Sequence, residues 1–300
     1  MKKKIVCGLA IVMSVAMLGG CGSKKNEKVD LTLNEVLANA VEKIVSVESI
    51  EIDAEGKLEG KISQDDKEAE AKGKVSLEGS VTTKDPSVYL SGELEYECQY
   101  NNTKLSGSHT AKIYGEDNEE DGMFYLYSQI DDKDWELKKE DISEFEEALG
   151  EIDVDSIKEG LEELKNNEQF NKIFKLKDTV QTVDGTDCYL VYAYLDKEDI
   201  VSFINEESET DAEEIDALEK VEINFELFFD KETYYPVKFA VNACIKGDLE
   251  DEELSIDVKE FSLEIKSDIN KAKVVEVPSN VKDEAVEEEF SKTDLSDILN

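Results

Sequence analysis

The sequence predicts a mainly β protein of the α+β type, in which a single strongly curved antiparallel sheet forms an open half-barrel with helices packed in its concave face. Three observations lead to this fold. Apolar and charged residues alternate with a period of two over much of the chain, as in strands with one dry and one wet face. The alternating segments are longer than ordinary strands, and long antiparallel strands twist, so the sheet should curl. The few helical segments suffice to cover one face.

The first predicted element is a helix over residues 33–45. Thr32 and Glu35 have the spacing of a capping box, and Leu31 and Val36 stand at the positions of a hydrophobic staple. One apolar stripe follows at helical spacing: Val36, Leu37, Ala40, Val41, Ile44 and Val45. A helix with such a stripe needs a partner surface, and the sheet is the partner that the rest of the chain offers.

About eleven strands are predicted from the alternation. In residues 50–62 the even positions are apolar or small and the odd positions are charged, so the even side chains face the dry side. At roughly 3.3 Å per residue this strand alone would be about 40 Å long. The predicted strands are residues 50–62, 73–81, 88–100, 105–115, 123–130, 134–138, 173–183, 187–195, 221–230, 235–245 and 254–269.

A single folded domain is predicted, because no Pro- or Gly-rich linker divides the chain. Its parts are a half-barrel domain at 31–285 with a helical insertion near 142–164, made of helices at 142–149 and 154–164, then a helix at 197–204, an acidic loop at 205–219 and a polar tail at 286–300. The chain after Pro278 is expected to be loose.

The N-terminus has the order of an export signal. Lysines at residues 2–4 precede an apolar run over residues 5–17, which at about thirteen residues is shorter than the roughly twenty that span a bilayer. The run leads into Leu18-Gly19-Gly20-Cys21, which resembles the lipobox of bacterial lipoproteins. This resemblance implies removal of a signal peptide (1–20) and a covalent diacylglycerol on Cys21, with acyl groups such as palmitate. Residues 21–30 would then tether an outward-facing domain within about 16 Å of the cell membrane.

The charge balance limits the partners. With 74 Asp and Glu against 34 Lys and no arginine, the formal net charge is −40. Nucleic acid is excluded as a partner, because binding to a polyanion depends on cationic side chains that release counterions. Without arginine the chain lacks the side chain best suited to bidentate recognition of phosphate or carboxylate. The balance favours uncharged, apolar or cationic ligands, although the acids could serve solubility alone.

Few residues offer catalytic or metal chemistry. The single histidine, His109, excludes multi-histidine metal sites, and the motifs of serine hydrolases and phosphate-binding loops are absent. Cys98, Cys188 and Cys244 are widely spaced, so a disulfide is allowed outside the cell but not indicated, and each is expected to be a small buried side chain. The acids offer too many carboxylate pairs to single out a glycosidase pair. We therefore predict a non-catalytic protein without metal or cofactor, apart from the lipid on Cys21.

The even, dry side of the predicted sheet carries the candidate binding site. Small residues recur there in the first strands, whereas the last strands place large apolar residues in the same register; the glycines concerned are Gly56, Gly60, Gly73, Gly79, Gly92 and Gly107. This contrast predicts an apolar cavity. Its expected lining is Leu58, Val75, Leu77, Leu90, Leu94, Leu105, Phe225 and Phe239. Glycines that permit curvature and close helix packing are the alternative. His109 shares the register, either as a satisfied histidine or as a contact to a ligand headgroup.

Three local sequences accompany these features. Asp184-Gly-Thr-Asp-Cys-Tyr189 opens a predicted strand, Asp230-Lys-Glu-Thr-Tyr-Tyr-Pro236 lies at a hairpin, and Val277-Pro278 closes the last strand. Together with the lipobox, the capped helix and the helical insertion they resemble the half-barrel lipoproteins, which include the LolA/LolB lipoprotein carriers and the actinobacterial lipoglycan carriers. The resemblance covers residues 31 to about 285. It implies an open half-barrel that is lined by apolar side chains, binds acyl chains and has no catalytic residue.

These inferences predict a membrane-anchored extracytoplasmic lipoprotein that binds or carries an amphiphile, such as a lipid, glycolipid or lipopeptide, in an apolar half-barrel cavity. The alternative is a non-catalytic interaction or structural module at the cell surface that uses its acidic outer face. In both cases the lipid anchor makes the membrane a partner, and the sequence names no protein partner.

Overall fold

The computed structural model describes residues 27–44, 46–64, 67–100, 103–118, 120–141, 168–204, 218–249 and 254–287. Several predicted features lie outside the described residues, namely the signal peptide with Cys21, the helical insertion near 142–164, residues 205–217 of the acidic loop and residues 288–300 of the tail. Within the described ranges, no helix is both long and apolar enough to cross a membrane.

Four helices and thirteen strands form in the described part of the chain. The helices are α1 (Leu33–Ile44), α2 (Glu168–Ile173), α3 (Lys197–Ile204) and α4 (Ser279–Glu284). The strands are β1 (Ser49–Gln64), β2 (Lys67–Thr82), β3 (Ser87–Tyr100), β4 (Thr103–Asn118), β5 (Met123–Ile130), β6 (Glu136–Asp141), β7 (Lys175–Leu176), β8 (Gln181–Val183), β9 (Thr186–Asp196), β10 (Leu218–Asp230), β11 (Pro236–Leu249), β12 (Leu254–Ile269) and β13 (Val286–Glu287).

All these strands belong to one sheet in the order β13-β6-β5-β4-β3-β2-β1-β12-β11-β10-β9-β7, with β8 paired to β9. The pairs are antiparallel except for β13 with β6, which run parallel. The sheet is curved and unclosed, so the prediction of a mainly β open half-barrel with helices in its concave face is confirmed. Because β1 lies between β2 and β12, the first strand joins the two wings of the sheet at its centre.

The register shows which side chains share a face, since directly paired residues of neighbouring antiparallel strands point to the same side. One row across the sheet is Val191, Leu227, Phe239, Ile265, Ala54, Leu77, Gly92 and Ala111. Val191 and Leu227 pack in a cluster with Val36 and Leu37 of α1. This row, and with it the even positions of β1, therefore lies on the concave face that the helices occupy.

Helix α1 begins with the predicted capping box. Oε2 of Glu35 accepts the Thr32 N–H at 2.7 Å, and the Glu35 N–H donates to Oγ1 of Thr32 at 3.3 Å. Leu31 and Val36, the two predicted staple residues, belong to the same apolar cluster. The cap thus sets the start of the helix that covers one end of the concave face.

Two buried clusters lie on the convex face. One joins Trp135 and Tyr127 with Val281 of α4, and the other surrounds Cys188, next to Leu190 on β9. Their residues have the opposite register parity to Val191 and its row. The sheet is therefore packed locally on both faces, although its convex face is otherwise charged.

The predicted strand over residues 173–183 is wrong. Helix α2 ends at Ile173, and only the short strands β7 and β8 follow. Between them the Val180 N–H donates to the Glu27 carbonyl, and the Val29 N–H donates to the Asp178 carbonyl, both at 2.9 Å. Residues 178–180 thus form backbone hydrogen bonds with the chain that precedes α1. These bonds take the place of a longer ladder between this segment and β9.

The prediction of a loose chain after Pro278 is also wrong. Helix α4 starts at Ser279, and its Val281 is 3% exposed. Strand β13 then pairs with β6, so Val286 and Glu287 of the predicted tail belong to the sheet. The apolar contact of Val281 and the backbone pairing of β13 hold this segment in place.

Candidate functional site

The concave face has a covered half, formed by β9, β10 and β11 under α1 and α2. Val191 is 2% exposed there, and Phe239 is 6% exposed. A series of aromatic rings connects α2 to the sheet, with centroid distances of 4.5 Å from Phe170 to Phe174, 6.4 Å from Phe174 to Phe225 and 6.4 Å from Phe225 to Phe239. This half is a packed core.

The other half of the concave face is open. Thirteen large apolar side chains are exposed in the described part of the chain, and nine of them lie on the concave face, mainly of β1 to β4. These nine, here called the open apolar face, are Leu58, Ile62, Val75, Leu77, Leu94, Tyr100, Leu105, Ile130 and Phe261. Contiguous exposed apolar surface of this kind is uncommon on soluble proteins and marks binding surfaces.

The eight predicted lining residues divide between the two halves. Five of them, Leu58, Val75, Leu77, Leu94 and Leu105, belong to the open apolar face. Phe225 and Phe239 belong to the covered half. Leu90 is half-buried and lies against Gly79. The structure therefore brings the residues from β1 to β4 together, and it places the two phenylalanines in the covered half, where Phe239 is buried and Phe225 is half-buried.

Four residues of the open apolar face are not among the predicted lining residues, although all four lie within predicted strands. Ile62, Tyr100, Ile130 and Phe261 have the same register parity as the five predicted ones. Following the alternation along each whole predicted strand, and across to the paired strand, would have included them in the lining.

Most of the glycines on the concave face are covered by neighbouring side chains. A Cβ at Gly56 would lie 2.7 Å from Cγ1 of Val75, and one at Gly107 would lie 2.8 Å from the Tyr96 hydroxyl oxygen. At Gly73 the nearest atom is the Glu95 carbonyl oxygen at 3.7 Å. The glycines thus let larger side chains of the next strand lie flat on the sheet, and Gly73 alone of these three leaves free space.

The convex face carries the charge. Around the backbone of Gly73 it forms a shallow depression of about 340 Å³, and most of its lining consists of charged side chains: Lys57, Glu59, Lys72, Lys74, Glu95, Glu97 and Glu260. Lys72 binds Glu59 at 2.9 Å, and Lys104 binds Glu97 at 2.8 Å. Exposed ion pairs of this kind contribute little to stability. They keep this face hydrated, so the two faces of β1 to β4 differ sharply in polarity.

The family assignment follows from the extent of the sequence match. Residues 32–286, from the cap of α1 to β13, match a family described as a family of unknown function, DUF6612. The chain belongs to the DUF6612 family. The match covers both halves of the concave face. No curated protein matches the sequence at a significant level.

Solved structures similar to this DUF6612 protein are distant from it. LprF from Mycobacterium bovis is 8% identical with a TM-score of 0.29, over 82% of this chain and 96% of that one. A β-barrel-like DUF1849 protein from Brucella abortus is 9% identical with a TM-score of 0.22, over 75% and 98%. A DUF1329 protein from Desulfovibrio piger is 10% identical with a TM-score of 0.16, over 81% and 95%. The functional conclusion therefore depends on the geometry of the concave face.

The DUF6612 domain carries three free thiols, on Cys98, Cys188 and Cys244. Cys188 is fully buried, and burial, followed by the charges of Asp230 and Asp187, raises the pKa of its thiol to about 12. The other two are half-buried. No group of three or more metal-ligating side chains occurs in the described ranges.

Proposed function

We propose that this protein is a lipid-anchored, outward-facing membrane lipoprotein that binds or carries the acyl chain of an amphiphile on its open apolar face, without catalysis. The observation that carries the proposal is the concentration of exposed apolar side chains on one face of a sheet whose other face is charged. The lipobox at Cys21 supports it, because an acylated cysteine would hold this face near the membrane, where acyl chains originate.

The dimensions of the open apolar face suit a lipid chain. From Phe261 on β12 to Leu105 on β4 the face crosses four strand spacings, or about 19 Å. Covering about 300 Å² of acyl surface at about 25 cal/mol per Å² would contribute about 7 kcal/mol before the entropy cost of binding. The charged side chains point to the convex side, so an acyl chain would bind without desolvating them.

The first test asks whether lipid is bound apart from the covalent anchor. The full chain with Cys21→Ala lacks the acylation site, so any lipid found in native mass spectrometry is bound non-covalently. We expect such lipid masses, and saturable binding of a fluorescent fatty-acid methyl ester as the probe. If the chain carries no lipid and does not bind the probe, the proposal is contradicted. That result would favour the alternative, an interaction module that uses the charged convex face.

A matched pair of variants tests the face itself. Leu105, 60% exposed on the concave side of β4, and Ser106, exposed on the convex side, are neighbours in sequence. Leu105→Glu should weaken probe binding about tenfold, because a charge would have to be desolvated beside the acyl chain. Ser106→Glu adds the same charge on the other face and should leave binding unchanged. Equal weakening by both variants would mean that net charge, not the open apolar face, controls binding.

A further inference from the structure

A histidine stands at the edge of the open apolar face. His109 lies on β4 in one row with Leu94 and Val75, all on the concave side. Its half-exposed ring stacks on Tyr96, with 5.7 Å between centroids and 14° between planes. The Tyr96 ring in turn lies over Gly107, where any Cβ would collide with it. The row of apolar side chains therefore ends on an imidazole whose plane is fixed.

Asp131 holds the other side of this ring. Its Oδ2 is 2.6 Å from Nδ1 of His109, and its Oδ1 accepts the Thr110 N–H at 2.9 Å. The Asp131 N–H also donates to the Thr110 carbonyl at 2.9 Å. Its φ of 55° is in the left-handed region, which residues other than glycine rarely adopt. Two bonds to Thr110 thus fix the carboxylate just after β5 and direct Oδ2 at the ring.

This arrangement determines which ring nitrogen carries the proton. The hydrogen bond from His109, followed by that from the Thr110 N–H, lowers the pKa of Asp131, so the carboxylate is ionised near neutral pH. An ionised carboxylate can only accept, and Nδ1 of His109 must therefore donate. In the neutral ring the other nitrogen, Nε2, then has a lone pair and acts as an acceptor.

We propose that His109, positioned by Asp131 and Tyr96, is the headgroup site of the bound amphiphile, and that its Nε2 accepts a hydrogen bond from a hydroxyl of an uncharged glycerol or sugar headgroup. This inference rests on the proposed function, because an acyl chain on the open apolar face would bring its headgroup to this edge. The ligand class is then a neutral lipid with free hydroxyl groups.

The surrounding charges favour an uncharged headgroup. Among the described residues, β3 contributes the titratable Tyr96, and the turn after β5 contributes Asp131, whose charge Lys133 partly offsets. The neighbouring side chains of the same face, such as Leu94 and Ile130, are apolar. With a carboxylate beside the ring and a net charge of −40, a carboxylate or phosphate headgroup would be repelled. A hydroxyl donor avoids this repulsion.

The test compares two ligands with the same acyl chain, 1-monooleoylglycerol and methyl oleate, of which only the first has hydroxyl donors. Both compete with a fluorescent fatty-acid methyl ester, which carries no charged headgroup, for the full Cys21→Ala chain at pH 8. At pH 8 we expect the monoglyceride to bind about three- to tenfold more tightly, as one hydrogen bond allows.

Two variants separate the hydrogen bond from the fold. His109→Gln keeps an acceptor oxygen at this position, so the preference should persist. His109→Leu should lose the preference and still bind methyl oleate. If neither ligand binds the unsubstituted Cys21→Ala chain, the proposed function itself fails. Equal binding of the two ligands by the unsubstituted chain, or a preference that persists in His109→Leu, would overturn the headgroup site alone.

Discussion

The two halves of the concave face share a sequence pattern and differ in what covers them. Val191 in the covered half is 2% exposed against α1 and α2, whereas Val75 in the open half is 43% exposed. Both are valines at concave positions of alternating strands. The alternation determines the face to which a side chain points, but its burial depends on elements that are distant in sequence. The covered half therefore stabilises the fold, and the open half is where we place the ligand.

The largest expected effect comes from placing the same charge in each half. Val191→Asp should lower the free energy of unfolding by about 3 to 5 kcal/mol, because an unpaired carboxylate would be buried in the α1 cluster. Val75→Asp should lower it by less than about 1 kcal/mol, since the side chain already contacts water. Urea unfolding followed by circular dichroism measures both.

The Val75 variant is the decisive control in that pair. A loss of stability at Val75→Asp as large as that at Val191→Asp would mean that another part of the chain covers the open apolar face. In that case the face would be core, and the comparison between the two halves would no longer hold.

A smaller effect is expected at two concave-face glycines of β2. A Cβ at Gly79 would collide with the Tyr89 carbonyl and with Leu90, whereas at Gly73 it would meet no atom closer than 3.7 Å. Gly79→Ala should therefore cost about 1 to 3 kcal/mol of stability, because backbone must shift. Gly73→Ala should be neutral or stabilise by about 0.5 kcal/mol, because the unfolded chain loses freedom. Thermal melts compare the two, and equal melting temperatures would contradict the packing described here.

Much of the fold could be predicted because period-two alternation needs no knowledge of distant contacts. The bounds of β5 (Met123–Ile130), β12 (Leu254–Ile269) and α3 (Lys197–Ile204) are predicted to the residue. The failures occur where short elements depend on tertiary partners. Helix α2 has six residues, too few to show a clear helical period. Residues 173–183 alternate well enough to resemble a strand, yet backbone bonds with the chain before α1 interrupt it.

The alternation predicts which face of the sheet carries the candidate site, but it does not predict the shape of that surface. The glycine pattern indicated free space, and only the register reveals that Val75 lies over Gly56 and Tyr96 over Gly107. The contact of Phe225 with Phe174, the residue after α2, depends on a helix that the pattern did not predict. The contact of His109 with Asp131 depends on where β5 ends against β4. These contacts depend on how neighbouring strands pair, and the sequence of a single strand does not contain that information.

The smallest expected effect on stability concerns the N-terminal cap of α1, the helix that packs on the covered half. Thr32→Ala removes the hydroxyl that bonds the Glu35 N–H and should cost about 1 kcal/mol of stability. The Thr32 N–H, and then the Thr32 hydroxyl, lowers the pKa of Glu35 below its ordinary 4.5. The cap's electrostatic contribution is therefore present above the unfolded pKa and is lost as the pH falls through the folded one.

Glu35→Gln should accordingly flatten the loss of stability on acidification below about pH 5, measured as melting temperature against pH. Glu42→Gln removes the same charge from the exposed side of the same helix and serves as the control. If both variants flattened the curve equally, overall repulsion among the many acids would explain the acid response. A flattening confined to Glu35→Gln would show that the acid response comes from the cap of α1. Helix α1 is also an element whose presence distinguishes the covered half from the open one.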